Sequence, residues 1–118
     1  MNVLLVEDER LISMVIAKIV TKLGHIVTAC VPSAEQALTS LEGTRPDFIL
    51  LDIQLEGKMD GIQAGLLIKE KWGIPFAFAS AYADEATRRR AEEASPLGFL
   101  VKPVRSEQLR ELLGLVAR

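Results

Sequence analysis

The chain has 118 residues, of which 49% are hydrophobic and 25% are charged, and its formal net charge is -2. This length and composition predict a single domain with its own core, and they exclude a disordered chain or two separate cores. With a sequence pI near 5.4, the chain lacks the positive excess that direct binding to nucleic acid requires.

The first third of the chain predicts two strands, each followed by a helix. Residues 3–6 form a short apolar run, and residues 26–30 form a weaker one. Between them, apolar residues recur at helical spacing over residues 11–23, and a glycine follows at position 24. Ser33 and Gln36 have the spacing of a capping box, so a second helix is predicted from there to the glycine at position 43.

The middle of the chain repeats this pattern. Apolar runs at residues 48–51 and 76–79 predict two further strands. Asp60 and Gln63 again have capping-box spacing, and the helix that they begin is stopped by a glycine and a proline just before the next strand. The order strand, helix, strand therefore continues without interruption.

The last third of the chain completes the fold. Asp84 is predicted to cap a fourth helix and Ser106 a fifth, on either side of an apolar run at residues 99–101. Arginines at positions 88–90 indicate either a solvated face of the fourth helix or a docking surface. Strands that are apolar on both faces and linked by helices require a parallel sheet covered on both sides. We predict a doubly wound α/β fold of five strands and five helices over residues 1–118, as one domain with no output domain.

Polar side chains follow four of the five predicted strands. Glu7 and Asp8 follow the first strand, Asp52 the third, Ser80 the fourth and Lys102 the fifth. Ligands of an open α/β sheet bind beyond the carboxyl ends of its strands. We therefore expect these side chains to lie at one edge of the sheet.

The types of these residues indicate phosphoryl transfer. The crowded carboxylates of Glu7, Asp8 and Asp52 imply a hard divalent cation, and Mg²⁺ suits them because it accepts carboxylate and phosphate oxygens together. Lys102 and the Ser80 hydroxyl would supply the positive charge and the hydrogen bond that a transferred phosphoryl group needs. Asp52 is the candidate nucleophile, since a carboxylate can form an acyl phosphate.

Five short motifs along the chain carry a resemblance to a known family. They are LLVEDE at residues 4–9, LLDI at 50–53, DG at 60–61, SAY at 80–82 and LVKP at 100–103. With these motifs, essentially the whole chain resembles the receiver domains of bacterial response regulators in two-component signalling. The resemblance implies a flavodoxin-like sheet with the strand order 2-1-3-4-5.

The resemblance also implies roles at the site. Asp52 would be the phosphoacceptor, with Lys102 as its cationic partner. Asp8 and Asp52 would bind Mg²⁺ directly, Gln54 would bind it through its backbone carbonyl, and Glu7 would act through a metal-bound water. Mn²⁺ could take the place of Mg²⁺.

A conformational switch is implied as well. On phosphorylation, Ser80 would move its hydroxyl onto the phosphoryl group, and Phe99 would change its rotamer. The peptide bond between Lys102 and Pro103 is expected to be cis.

The partners follow from the same resemblance. A sensor histidine kinase or a histidine phosphotransfer protein would donate the phosphoryl group, and a downstream protein would bind the surface of the fourth helix, fifth strand and fifth helix. The domain would be a monomer or a weak phosphorylation-dependent dimer, and it would catalyse only its own phosphorylation and dephosphorylation. A cytoplasmic location is expected, because the sequence has a single cysteine, no predicted leader and no apolar run of membrane-spanning length.

Three alternative functions share parts of the pattern. A phosphatase of haloacid-dehalogenase type also uses Mg²⁺ and an aspartate nucleophile, but Gln54 stands where it needs a second aspartate. A nucleotide-binding module would need a glycine-rich loop after the first strand, where this sequence has none. A receiver-fold platform that binds partners without phosphorylation is the third alternative, and the presence of Asp52, Ser80 and Lys102 together argues against it.

Overall fold

The computed structural model describes residues 1–82 and 84–117. Within these ranges strands and helices alternate along the chain. In order they are β1 (Asn2–Val6), α1 (Arg10–Lys22), β2 (Ile26–Val31), α2 (Ala34–Gly43), β3 (Phe48–Asp52), α3 (Gly61–Lys71), β4 (Phe76–Ser80), α4 (Glu85–Glu93), β5 (Phe99–Val101) and α5 (Ser106–Val116).

The strands form one sheet in the order β2-β1-β3-β4-β5, and every neighbouring pair is parallel. The predicted doubly wound sheet of order 2-1-3-4-5 with five helices is therefore confirmed. In the part of the chain that the structure describes, no helix has the length and apolar character needed to cross a lipid bilayer.

Two apolar layers cover the two faces of the sheet. Because successive side chains of a strand point to opposite faces, Leu4 of β1 lies in one layer and its neighbours Val3 and Leu5 lie in the other. The first layer is completed by α2, α3 and α4, and the second by α1 and α5. At the edge of the sheet, β2 is only half buried, which explains why its apolar run is the weakest in the sequence.

Three helices begin with the side-chain caps that the sequence predicts. The Ser33 hydroxyl accepts a backbone N–H three residues later at 3.1 Å. Asp60 and Gln63 make both hydrogen bonds of a capping box, each 2.9 Å long. The Asp84 carboxylate accepts the backbone N–H of Thr87 at 3.0 Å. Each bond satisfies a backbone donor that has no partner within its own helix.

The predicted cap of the last helix is wrong by one residue. Ser106 is the first residue of α5, and Arg105 occupies the N-cap position. The side chain of Gln108 accepts a hydrogen bond from the backbone N–H of Arg105 at 3.1 Å. Since this bond already ties the chain to the first turn, the helix begins one residue earlier than a serine cap would allow.

The register of the sheet brings the ends of its central strands together. Asp52, the last residue of β3, pairs with Ala79 of β4, and Ser80 pairs with Val101 of β5. Lys102 follows directly, and its peptide bond to Pro103 is cis. Residues from distant parts of the sequence thus lie together at the carboxyl edge of the sheet.

Gly61 allows α3 to start very close to this edge. A Cβ atom at Gly61 would lie 1.9 Å from the carbonyl oxygen of Asp52, which is backbone and cannot turn aside. The N–H of Gly61 also donates to the carbonyl of Ile53 at 2.8 Å. The absence of a side chain at position 61 therefore sets the distance between α3 and the end of β3.

We expect Gly61→Ala to lower the free energy of unfolding by at least about 2 kcal/mol, because the added methyl group overpacks against fixed backbone. The matched control is Gly114→Ala in α5, where a Cβ would meet no atom within 4 Å. This change should raise stability by about 0.5–1 kcal/mol, since alanine favours a helix over glycine. Urea unfolding measures both, and equal stabilities of the two variants would contradict the steric argument.

Candidate functional site

Three acidic side chains form a cluster at the carboxyl end of the sheet. Glu7 and Asp8 follow β1, and Asp52 ends β3. Each offers one carboxylate oxygen, and these oxygens all lie within 4.8 Å of one another. Glu7 and Asp52 are buried, with 6% and 4% of their surfaces exposed, whereas Asp8 is exposed. The cluster is therefore open to solvent on the side of Asp8.

Lys102 compensates the two buried carboxylates. Its Nζ lies 2.5 Å from Glu7 Oε1 and 3.0 Å from Asp52 Oδ2, and only 12% of the lysine side chain is exposed. Removing two carboxylates from water carries a large desolvation penalty unless a cation pairs with them.

The electrostatics of the cluster favour a bound cation or a proton. Burial raises the pKa of Asp52 to about 7, the negative charge of Glu7 adds to this, and the contact with Lys102 opposes it. Partial burial followed by the nearby Glu7 also raises the pKa of Asp8. Burial alone lowers the pKa of Lys102, but its contacts with the two carboxylates outweigh this and raise it. Negative charge is thus in excess where the side chains meet.

Backbone donors orient the two buried carboxylates. The N–H of Glu9 donates to Glu7 Oε2 at 3.0 Å, and the N–H of Gln54 donates to Asp52 Oδ1 at 3.3 Å. Each carboxylate thus has one oxygen on a backbone N–H and the other on Lys102. All the anionic groups of the cluster are oxygen ligands, the kind that a hard divalent cation prefers.

Ser80 lies beside the cluster and is fully buried at the end of β4. Its hydroxyl donates to Gln54 Oε1 at 2.8 Å and accepts the backbone N–H of Tyr82 at 3.1 Å. The sequence predicted a role only for the backbone carbonyl of Gln54. Nothing in the sequence pattern indicates which way an exposed carboxamide turns after a strand end, so this side-chain contact was missed.

Phe99 lies on β5, away from the carboxylates and half buried, opposite Phe78 of β4. The guanidinium of Arg88 stacks 4.6 Å from the centre of its ring. The next two arginines of α4 have acidic partners, since Arg89 contacts Glu85 at 2.6 Å and Arg90 contacts Asp60 at 2.9 Å. All three arginines are exposed, and each contacts a different side chain.

A family model of the response regulator receiver domain matches residues 3–114. The chain belongs to this family. The match spans nearly the whole chain and confirms the resemblance seen in its motifs. Receiver domains are mainly signalling domains of two-component response regulators, and they generally bind Mg²⁺ at an acidic pocket.

Curated relatives and solved structures agree with this assignment. The chain is 37% identical over 120 residues to the positive alginate biosynthesis regulatory protein of Pseudomonas aeruginosa, covering all of this chain and 48% of that protein. It is 30% identical over 102 residues to the transcriptional regulatory protein PdtaR of Mycobacterium tuberculosis, covering 86% and 49% of the two chains. This receiver domain thus spans about half the length of these relatives.

A solved receiver domain has the same fold. The signal receiver domain of a modulated diguanylate cyclase from Desulfovibrio desulfuricans G20 superposes with a TM-score of 0.91 at 30% sequence identity. The superposition covers 98% of this chain and 91% of that one. The strand ends that carry the acidic cluster of this receiver domain therefore belong to a known receiver scaffold.

The raised pKa of Asp52 predicts that this carboxylate destabilises the metal-free receiver domain as pH rises. An unfolded aspartate has a pKa of about 3.9, whereas that of Asp52 is about 7 in the folded state. Between these values the folded state keeps a proton that the unfolded state loses, so the free energy of unfolding falls by at most about 1.4 kcal/mol per pH unit. Asp52→Asn should therefore gain stability relative to the parent from pH 5 to pH 7.

Urea unfolding with a chelator at several pH values measures this difference. Asp84→Asn is the control, because hydrogen bonds from Thr87 lower the pKa of Asp84 and place its titration below the interval. The difference between Asp84→Asn and the parent should be flat from pH 5 to pH 7. A flat difference for Asp52→Asn as well would show that Asp52 is ionised throughout.

Proposed function

We propose that this receiver domain accepts a phosphoryl group from a phosphohistidine onto Asp52 with the help of Mg²⁺, and that the modification changes which partner it binds. The observation that carries the proposal is the contact of one mostly buried lysine, Lys102, with both Glu7 and Asp52 in a cluster that also contains Asp8. Positive charge stabilises the oxygens of a transferring phosphoryl group, and Lys102 together with a cation held by the acids would supply it.

The residues of the cluster fit a divalent cation. Their donors are all oxygens, one side of the cluster is exposed, and burial and mutual repulsion raise the pKa values of Asp8 and Asp52. Asp8, Asp52 and the backbone carbonyl of Gln54 would hold Mg²⁺, or Mn²⁺ in its place, and Glu7 would act through a water. When bound, the cation would offset the repulsion between the carboxylates and the incoming phosphoryl oxygens.

The chemical step is an in-line displacement at phosphorus. A carboxylate oxygen of Asp52 forms the new O–P bond as the P–N bond to the donor imidazole breaks, and the imidazole nitrogen keeps the electron pair. The ammonium of Lys102 then neutralises charge on the phosphoryl oxygens, because it already lies within 3.0 Å of the accepting carboxylate. The donor imidazole leaves as a neutral ring when its other nitrogen carries a proton, so the receiver domain does not have to supply a general acid.

The switch is proposed to run from Ser80 to the surface of α4, β5 and α5. Ser80 would turn its hydroxyl to the phosphoryl group, and Phe99 would change its rotamer and leave the guanidinium of Arg88. The pairing of β4 with β5 links these residues, since Ser80 pairs with the strand that carries Phe99. A downstream protein would then read the changed surface, and the domain would act as a monomer or a weak phosphorylation-dependent dimer in the cytoplasm.

An apolar groove beside the site suits the phosphodonor protein. It has a volume of about 480 Å³ and lies between α1 and the turn after β5, with Leu11, Val15 and Pro103 in its lining. Leu11 and Val15 are 78% and 58% exposed. Lys102 also lines the groove, so a histidine kinase or phosphotransfer protein seated there would hold its phosphohistidine next to Asp52.

Incubation with acetyl phosphate or phosphoramidate and Mg²⁺ tests the chemistry by intact mass. We expect a phosphate-sized gain that disappears with a chelator and in Asp52→Asn. Asp47→Asn, which alters an exposed aspartate outside the cluster, should be phosphorylated like the parent. If the parent gains no mass under any condition, the phosphorylation-independent platform becomes the better description.

Leu11→Ser tests the groove. We expect phosphoryl transfer from the partner kinase or phosphotransfer protein to slow about tenfold or more, because burying a leucine side chain is worth about 1.5–3 kcal/mol. Phosphorylation by acetyl phosphate should be unchanged, since the chemistry at Asp52 is intact. Leu66→Ser is the control, because Leu66 is also exposed but lies on α3, which covers the opposite face of the sheet. Equal slowing by both variants would contradict docking in the groove.

A further inference from the structure

We propose that the side chain of Gln54 is a latch on the Ser80 hydroxyl, which keeps this hydroxyl from the phosphoryl group and so sets how readily the domain switches. The inference rests on the proposed function, because the latch regulates the same site. It assigns to Gln54 a positioning role that is separate from the role of its backbone carbonyl.

Ser80 cannot donate a hydrogen bond to Gln54 and to a phosphoryl oxygen at the same time. A serine hydroxyl has one hydrogen to donate, and in this structure Ser80 donates it to Gln54 Oε1 at 2.8 Å. The hydroxyl oxygen also accepts the N–H of Tyr82 at 3.1 Å. Donation to a phosphoryl oxygen therefore requires the bond to Gln54 to break first.

Burial gives the latch its strength. Ser80 has no exposed surface, so water cannot replace Gln54 as the acceptor while the serine keeps its present rotamer. A buried hydroxyl without an acceptor is unfavourable. The unphosphorylated domain thus favours the latched state.

Gln54 has room to release the hydroxyl. Its side chain is exposed, and it lines an open cleft of about 340 Å³ between the loop after β3 and α4, which Asp8 and Arg90 also line. This cleft gives the carboxamide space to turn away from Ser80. The N–H of Gln54 bonds to Asp52 Oδ1, so the backbone at the site does not need to move with it.

Phosphorylation provides the Ser80 hydroxyl with a stronger acceptor than the Gln54 carboxamide. A hydrogen bond to a charged oxygen is roughly twice as strong as one to a neutral carboxamide. The hydroxyl of Ser80 would therefore donate to a phosphoryl oxygen, and its hydrogen bond to Gln54 would have to break. Removing the latch should favour the switched state by the value of one neutral hydrogen bond.

Beryllofluoride with Mg²⁺ is the probe, because it imitates a phosphoryl group on a carboxylate without turnover. The variant is Gln54→Met, which keeps the length of the side chain and the backbone carbonyl but removes the acceptor. We expect it to bind beryllofluoride about two- to tenfold more tightly than the parent. Gln36→Met is the control, since Gln36 is an exposed glutamine on α2, and its affinity should equal that of the parent.

A double-mutant cycle with Ser80→Ala identifies the route of the effect. In the Ser80→Ala background, Gln54→Met should leave the affinity unchanged, because there is no hydroxyl to release. An equal gain in both backgrounds would overturn the latch, since Gln54 would then act on the metal or the phosphoryl group directly. An unchanged affinity of the single variant would overturn it as well.

The same cycle in metal-free protein separates the latch from the proposed function. The effects of Gln54→Met and Ser80→Ala on the unfolding equilibrium constant should be non-additive by about two- to tenfold, because each change removes the same hydrogen bond. If the parent binds no beryllofluoride but shows this coupling, the result contradicts the proposed phosphorylation and supports the latch between Gln54 and Ser80. Additive effects would overturn the latch whatever the parent binds.

Discussion

The contact of Lys102 with Glu7 and Asp52 is the interaction on which the site depends. Two buried carboxylates at the end of a sheet repel each other and lose hydration, and one ammonium at 2.5 Å and 3.0 Å offsets part of both penalties. Glu7 follows β1, Asp52 ends β3 and Lys102 follows β5, so the ion pairs also connect strands that lie far apart in the sequence. The parallel sheet makes this contact possible, because the carboxyl ends of all its strands lie at one edge.

The strand β4 lies between the acidic cluster and β5. Its last residue, Ser80, is bonded to Gln54 on one side and pairs with β5 on the other. The cation–π contact between Arg88 and Phe99 joins β5 to α4. A short path of paired strands and stacked side chains therefore connects the cluster to α4. A path of this kind can couple two places only if some element in it has two arrangements, and the Ser80 hydroxyl, with two competing acceptors, is such an element in the proposed function.

The sequence predicted more of the fold than of the side-chain contacts at the site, for a physical reason. Strands and helices follow from apolar spacing and local caps, which need only a few neighbouring residues, as Asp60 and Gln63 illustrate. The predicted cap at Ser106 is wrong because Arg105 occupies the N-cap position, where its N–H donates to Gln108. The position of Lys102 at the acidic edge follows from strand order. The turn of the Gln54 carboxamide towards Ser80 depends on distant residues that meet only in the folded chain, so no local pattern could predict it.

Three side chains that the proposed function uses already have partners in the unphosphorylated fold. Lys102 is bonded to two carboxylates, Asp52 to Lys102 and a backbone N–H, and Ser80 to Gln54. Phosphorylation would then exchange the partners of these three side chains. The hydrogen bonds and ion pairs that break would be similar in strength to those that form, so the free-energy difference between the latched and the switched state would be small. A difference of this size keeps both states accessible, so a single covalent change can reverse their populations.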